Sequence, residues 1–228
     1  MALKLDWATT KAAQFACKNW HYSGVMPSTQ CKIGVWEDGK FIGVVLFGIG
    51  AGNSTRGERF GLARRGEVAE LVRVALKSHK APVSRIIKIA LKMMKSANPG
   101  IRLVISFADE MAQGHHGGIY QAGNWIYDGA FVGDGGWCIN GKIVHNKTVH
   151  SRGWKQTQSW LAANVDPNVT KAATRKHRYL MPLDADMRAR ILPLAKPYPK
   201  RAKQATTDDQ SAGRQGSTDP HAPNIAAE

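Results

Sequence analysis

EVAELVRVAL (67–76), PVSRIIKIALKMMK (82–95) and IRLVISFAD (101–109) follow one another with only short connections, and their order sets the fold class. In the first, Leu71, Arg73 and Ala75 fall on one face and Val72, Val74 and Leu76 on the other, the alternation of a strand. In the second, Val83, Ile86, Ile87, Ala90, Leu91 and Met94 recur at helical spacing. Arg85, Lys88, Lys92 and Lys95 take the opposite side, and Pro82 suits a first helical turn. Asn98-Pro99-Gly100 stops that helix, and the third segment reads as a buried strand closing at Asp109.

Upstream, residues 8–20 read as a helix capped by Thr9 or Thr10. CKIGVWEDGKFIGVVLFGIG (31–50) reads as two strands joined at Glu37-Asp38-Gly39, because Asp-Gly suits a tight hairpin turn. Residues 48–66 form a loop rich in glycine and arginine. Downstream come a short helix over 116–122, a strand over 125–131, a loop-rich stretch over 133–153, a helix over 153–165 and a last strand, KHRYLMPL (176–183). Strands and helices in this order predict an α/β fold with a mixed central sheet flanked by helices. One domain is expected over 1–192, with a polar tail over 193–228 that has little to bury.

The net charge of +15 points to a polyanionic partner, nucleic acid first. A basic tail does not explain it: beyond Lys200, four acids (Asp208, Asp209, Asp219, Glu228) outnumber three cations (Arg201, Lys203, Arg214). Three scattered cysteines, Cys17, Cys31 and Cys138, do not make a disulfide framework. No apolar run approaches the ~20 residues that span a bilayer, and MALKLDWATTKAAQF lacks the apolar core of a signal peptide. The expectation is a soluble protein of a reducing compartment, with no membrane partner.

The element order resembles the GNAT acyltransferase fold, with AELVRVAL and PVSRIIKIALKMM in the places of its donor-binding strand and helix. The resemblance implies a donor held by Leu71 and Arg73 of the strand, Lys77 and Lys80 of the connection and Ser84 at the helix start. It also places Tyr120, in GGIYQAGNW, where that family often has a general-acid tyrosine. One departure stands out. The usual Q/R-x-x-G-x-G/A run that cradles a pyrophosphate is replaced by Lys77-Ser78-His79-Lys80-Ala81-Pro82, without a glycine and with a proline that has no N–H.

NWHYSG (19–24), AELVRVAL (69–76), ISFADEMAQGHHGGIYQAGNWIYDG (105–129) and KHRYLMPL together resemble the Mom family of phage DNA-modification proteins, over roughly Asn19 to Leu183. That resemblance implies conversion of the exocyclic amine of adenine in DNA to a carbamoylmethyl derivative, which protects phage DNA from host restriction. It implies double-stranded DNA as partner, the cytoplasm of the bacterial host as location, and iron as a candidate metal. The donor is left open between an acyl-CoA type and another activated small-molecule or carrier-bound donor.

Adenine's amine is a poor nucleophile, so its transferase needs a base and an acid within hydrogen-bond reach. Tyr120 is the candidate acid; its other reading is a core tyrosine bonded to backbone. His21 and Tyr22 sit where a helix breaks into a loop, and His21 reads as a base, a metal ligand or a helix-ending histidine. Asp109 reads as a base, a group orienting the amine, a metal ligand with His21, or a helix N-cap. Ser106 is a candidate contact to donor or base. His115 and His116 are adjacent and point in different directions, which argues against one shared metal. Cys138, His145 and His150 match no standard zinc spacing.

Phosphate contacts are expected from Arg56, Arg59, Arg64 and Arg65 of the loop and from Lys176, His177 and Arg178. Trp125, Tyr127 and Trp137 are read as core, with stacking on an extruded base as the alternative. Two other classes fit parts of this pattern. A GNAT enzyme acetylating a protein or small molecule has no need of the charge, and a non-catalytic DNA-binding protein has no need of the polar cluster at 106–127.

Overall fold

The computed structural model describes residues 2–49, 57–110 and 115–199. Eight strands form one sheet: β1 (Leu3–Trp7), β2 (Cys31–Glu37), β3 (Lys40–Gly48), β4 (Val68–Leu76), β5 (Leu103–Asp109), β6 (Ile126–Ile139), β7 (Lys142–Val144) and β8 (Thr170–Pro182). Their order is β1-β2-β3-β4-β5-β8-β6-β7. The β4–β5 pair is parallel and the others are antiparallel. The helices are α1 (Thr10–Trp20), α2 (Val83–Ala97), α3 (Gly118–Gln121), α4 (Asn146–Ser151), α5 (Gln158–Asn164) and α6 (Ala185–Ile191). The expected mixed α/β architecture is what the chain adopts.

Local chemistry accounts for the anticipated elements. Thr9 caps α1, its hydroxyl accepting from Ala12 N at 3.2 Å. Asp38 and Gly39 both have positive φ, 49° and 76°, the conformation a two-residue hairpin turn demands. The apolar stripe of α2 packs Ile86, Ile87, Ala90 and Met94 against Ile33, Val45 and Phe47 of the sheet. On the other face α1 packs Ala13, Ala16 and Cys17 against Val44, Leu46 and Ala75.

β4 does not keep the simple alternation its sequence suggests. Leu46 pairs with Arg73 and Phe47 with Leu71, so Val72 is bulged out of register. Leu71 consequently packs with the α2 side, while Ala75 packs with the α1 side.

Other differences have similar causes. β6 runs through the stretch expected as loop, because its glycines serve bulges. Register shifts fall between Tyr127 and Gly129 and between Asp134 and Gly136, both glycines at positive φ. β8 accordingly starts at Thr170 and pairs with β6 all the way to Cys138. A further core of Trp137, Ile139, Val149, Leu161 and Val169 forms beneath this ribbon. β1, α4 and α6 were not anticipated. β1 is five residues long, and its Leu3 and Leu5 pack on the main core. Packing also continues past 192: Lys196 N donates to Tyr127 O at 2.8 Å, and the Tyr198 hydroxyl donates to Trp125 O at 2.7 Å. The rest of the expected tail, from 200, lies outside the described residues. No described helix is long and apolar enough to cross a membrane.

The entry into α2 is held from a distance. Glu37, at the end of β2, accepts from Lys80 N at 3.0 Å and Ala81 N at 2.8 Å. Leaving two such N–H groups without acceptors costs about 1–3 kcal/mol. Glu37→Ala is therefore expected to lower Tm by several degrees in thermal unfolding; an unchanged Tm contradicts this role for the carboxylate.

Candidate active site

β4 and β5 pair through only three residue pairs, ending at Glu70 with Ile105. Beyond that point a cleft of about 510 Å³ opens, bounded by Leu71–Val74 of β4 and by Phe107 and Asp109 of β5. Trp20, His21 and Tyr22 close one side of it, and His115, Ile119 and Tyr120 another.

At its base the two strands are tied by a side chain. Ser106 Oγ lies 2.9 Å from Leu71 O and 2.8 Å from the Tyr120 hydroxyl. A serine hydroxyl has one proton and the carbonyl can only accept, so Ser106 donates to Leu71 and Tyr120 donates to Ser106. Tyr120 is 6% exposed. Its ring packs on Trp125 and Tyr179, with centroids 5.1 and 5.0 Å away. Burial pushes its pKa up to about 12, only partly offset by the Ser106 bond.

Gly117, which precedes α3, explains the glycine pair before Tyr120. Its φ of 84° is left-handed, and a Cβ there would sit 2.2 Å from the Tyr179 ring. Tyr120 is thus both a core residue and a wall of the cleft, and the two readings of the sequence are compatible.

His21 is the C-cap of α1. Its Nδ1 shares a hydrogen bond with Ser23 Oγ at 2.8 Å. Burial, helped by the Arg73 guanidinium, pulls its pKa down to about 4, so the ring is neutral near pH 7. Tyr22 is 62% exposed at the cleft rim and its ring lies 4.3 Å from that of His21. Asp109 has Lys176 Nζ at 3.9 Å. Arg73 reaches Val72 O through one terminal nitrogen, at 2.8 Å. Its buried Nε has no partner among the described residues. A guanidinium N–H in that state beside a cleft is a donor ready for a ligand oxygen.

The anticipated acid–base set, Tyr120, His21, Tyr22, Asp109 and Ser106, therefore comes together. Of the expected donor-binding residues, Leu71 and Arg73 line the cleft. Lys77 lies with Nζ over the Trp20 ring, 5.4 Å from its centre. Lys80 and Ser84 are outside the cleft lining.

Three N–H groups of the 77–82 connection are already occupied. Lys77 N is bonded to Ile42 O, Lys80 and Ala81 N to the Glu37 carboxylate, and Pro82 has no N–H. A protein carboxylate thus takes two N–H groups just ahead of α2.

Two of the expected phosphate contacts are corrected. His177 and Arg178 are 2% and 8% exposed. His177 bonds the Tyr127 hydroxyl at 2.8 Å and Glu110 Oε2 at 3.0 Å. Arg178 is paired with Asp128 at 2.6 Å. Three consecutive strand residues cannot share a face, and only Lys176 keeps a partly exposed cation. Arg59 is half exposed while paired to Asp128 at 3.0 Å, and Arg64 is exposed. Arg56 and the side chain of Arg65 lie outside the described residues.

His21 and Asp109, the expected metal pair, line the same cleft. Among the described residues, the group of three whose ligand atoms all lie within 4.8 Å of one another is Glu110, His116 and His177. His115 and His116 do diverge: His115 lines the cleft and stacks on Tyr120, centroids 6.0 Å apart, while His116 faces His177. Of the cleft residues, sequence reading missed Trp20, Val72, Val74, Phe107 and Ile119. Phe107 was detectable, since it alternates with Asp109 on one strand.

A sequence profile of the Mom protein family matches residues 2–200. Among solved structures, an N-acetyltransferase from Staphylococcus aureus Mu50 is similar at 11% identity, covering 81% of this chain and 100% of that one, with a TM-score of 0.47. A GNAT-family acetyltransferase from Streptococcus pneumoniae is similar at 13% identity, covering 79% of this chain and 99% of that one, with a TM-score of 0.44. No curated protein matches the chain.

The His21 environment has a pH signature. Its folded pKa is below its unfolded value of 6.5, so the unfolded chain binds more protons between pH 6.5 and about 4. The stability contributed by the neutral ring is present above pH 6.5 and is lost as pH falls through that window. NMR titration of the ring is expected to give a midpoint near pH 4. A midpoint near the ordinary histidine value refutes the buried, Arg73-facing setting.

Proposed function

This chain belongs to the Mom protein family, and from that premise we propose that it is a transferase converting the exocyclic amine of adenine in DNA to a carbamoylmethyl derivative. The observation that carries this reading is the Tyr120–Ser106–Leu71 hydrogen-bond chain at the foot of an open cleft. A purely structural tyrosine has no need to line such a cleft.

In this reading the duplex docks on the basic surface through groups such as Arg64 and Lys176, and the adenine leaves the stack to reach the cleft. The amine nitrogen forms a bond to the donor carbon while the bond from that carbon to its leaving group breaks. Asp109 takes the proton lost from nitrogen. His21, neutral and a poor proton store, accepts a hydrogen bond and orients the amine. Arg73 Nε–H meets an oxygen of the transferred group. Tyr120, protonated over the whole physiological range, yields its proton only to a strongly basic leaving atom, or stabilises the charge that develops on it as Ser106 lets go. The donor is a small or carrier-bound molecule carrying an activated carbamoylmethyl group. The Lys80 and Ala81 N–H groups, held by Glu37, are not offered to a diphosphate.

Nucleoside mass spectrometry of plasmid DNA from bacteria expressing the protein tests this. Wild type is expected to give carbamoylmethylated adenine, and Tyr120→Phe to cut its yield by about 100-fold or more while leaving Tm nearly unchanged. Unmodified adenine with soluble wild-type protein overturns the reading.

A further inference from the structure

We propose that Glu110, His116 and His177 form a binding site for one divalent transition-metal ion. The site stands apart from whatever the cleft transfers, because none of the three lines the cleft. Glu110 comes directly after the last residue of β5. His177 sits on β8, opposite Ala108. His116 immediately precedes the left-handed Gly117.

Bonds of about 2.0–2.2 Å to one ion place neighbouring ligand atoms about 3–4 Å apart. His177 Nε2 is 3.0 Å from Glu110 Oε2, and His116 Nδ1 is 4.0 Å from Glu110 Oε1. All three ligand atoms lie within 4.8 Å of one another. An ion can enter with side-chain adjustments alone.

The histidines are held as ligands are held. His177 Nδ1 is 2.8 Å from the Tyr127 hydroxyl. Without an ion the Nε2–H donates to Glu110 and the Tyr127 hydroxyl donates to Nδ1. With an ion bound, the proton moves to Nδ1 and points at the Tyr127 oxygen, which frees the Nε2 lone pair for the metal. His116 is fixed through its backbone, since its carbonyl accepts from the Tyr179 hydroxyl and from Gln121 Nε2. The next residue cannot carry a Cβ beside the Tyr179 ring. Two histidines and one carboxylate suit borderline ions such as Fe(II), Co(II) or Zn(II) over Mg(II) or Ca(II), and they leave coordination positions open.

The charged neighbours are Arg175, with Nε 3.4 Å from Glu110 Oε2, and the Lys176–Asp109 pair. The Arg175 side chain is 57% exposed and can turn to solvent when an ion takes its carboxylate. His115 points into the cleft, away from this group.

The test is titration of chelator-treated full-length protein with Co(II), read by visible absorption and by metal content after dialysis. Wild type is expected to bind one equivalent. Glu110→Gln and His116→Gln, both at partly exposed positions, are each expected to weaken binding at least tenfold with Tm preserved. His21→Ala is expected to bind as wild type does. In wild type, the ring signals of His116 and His177 are expected to shift or broaden first in NMR spectra as Co(II) is added. Failure of wild type to bind one equivalent overturns the proposal. So does unchanged affinity in the Glu110→Gln/His116→Gln double variant, or Co(II) effects that start at His21.

Discussion

Backbone pairing between β4 and β5 stops after Glu70 and Ile105, and the shape of the site depends on how the freed edges are treated. A parallel pair that continued would fill the sheet and leave no room between Arg73 and Asp109. The bulge at Val72 turns β4 just beyond the last pair, and Ser106 donates its hydroxyl proton to the Leu71 carbonyl that has lost its place in the ladder. Tyr120 then has a defined acceptor at the cleft floor. The cleft, the direction of the tyrosine proton and the place of Arg73 on the cleft wall all result from that interrupted pairing.

Around this opening, opposite charges are used sparingly. Glu37 occupies the N–H groups ahead of α2, Asp128 takes both Arg59 and Arg178, and Asp184 is held by Arg102 so firmly that its pKa falls to about 2. The chain keeps a net charge of +15 nonetheless, an excess suited to a polyanion. The Glu37 arrangement also ties the end of β2 to the entry of α2.

Much of the fold was legible because its signals are local. The stripe of α2, the Asp38-Gly39 turn and the apolar run of β5 each report on their own residues. What was not legible depends on partners distant in the chain. Gly129 and Gly136 read as loop residues until β8 is seen to carry β6 through two bulges. Leu71 and Ala75 read as one face until the pairing of β3 exposes the bulge between them. Tyr120 and His21 were singled out mainly through a family resemblance and Asp109 and Ser106 by their place on β5, and the fold brings them to one cleft. His177 and Arg178 were grouped with Lys176 by charge alone, where strand alternation already separated His177 from its neighbours. Glu110 gave no signal, because its partners lie 6 and 67 residues away.

The central claim is that the gap between β4 and β5 is where the reaction occurs. Ile119→Trp places a large ring against the cleft from α3 without touching the Tyr120–Ser106 hydrogen bond. The account predicts that plasmid DNA from cells carrying this variant loses its modified adenine while the purified protein keeps its DNA affinity and Tm. Modification at the wild-type level in a folded variant with the cleft filled would contradict it.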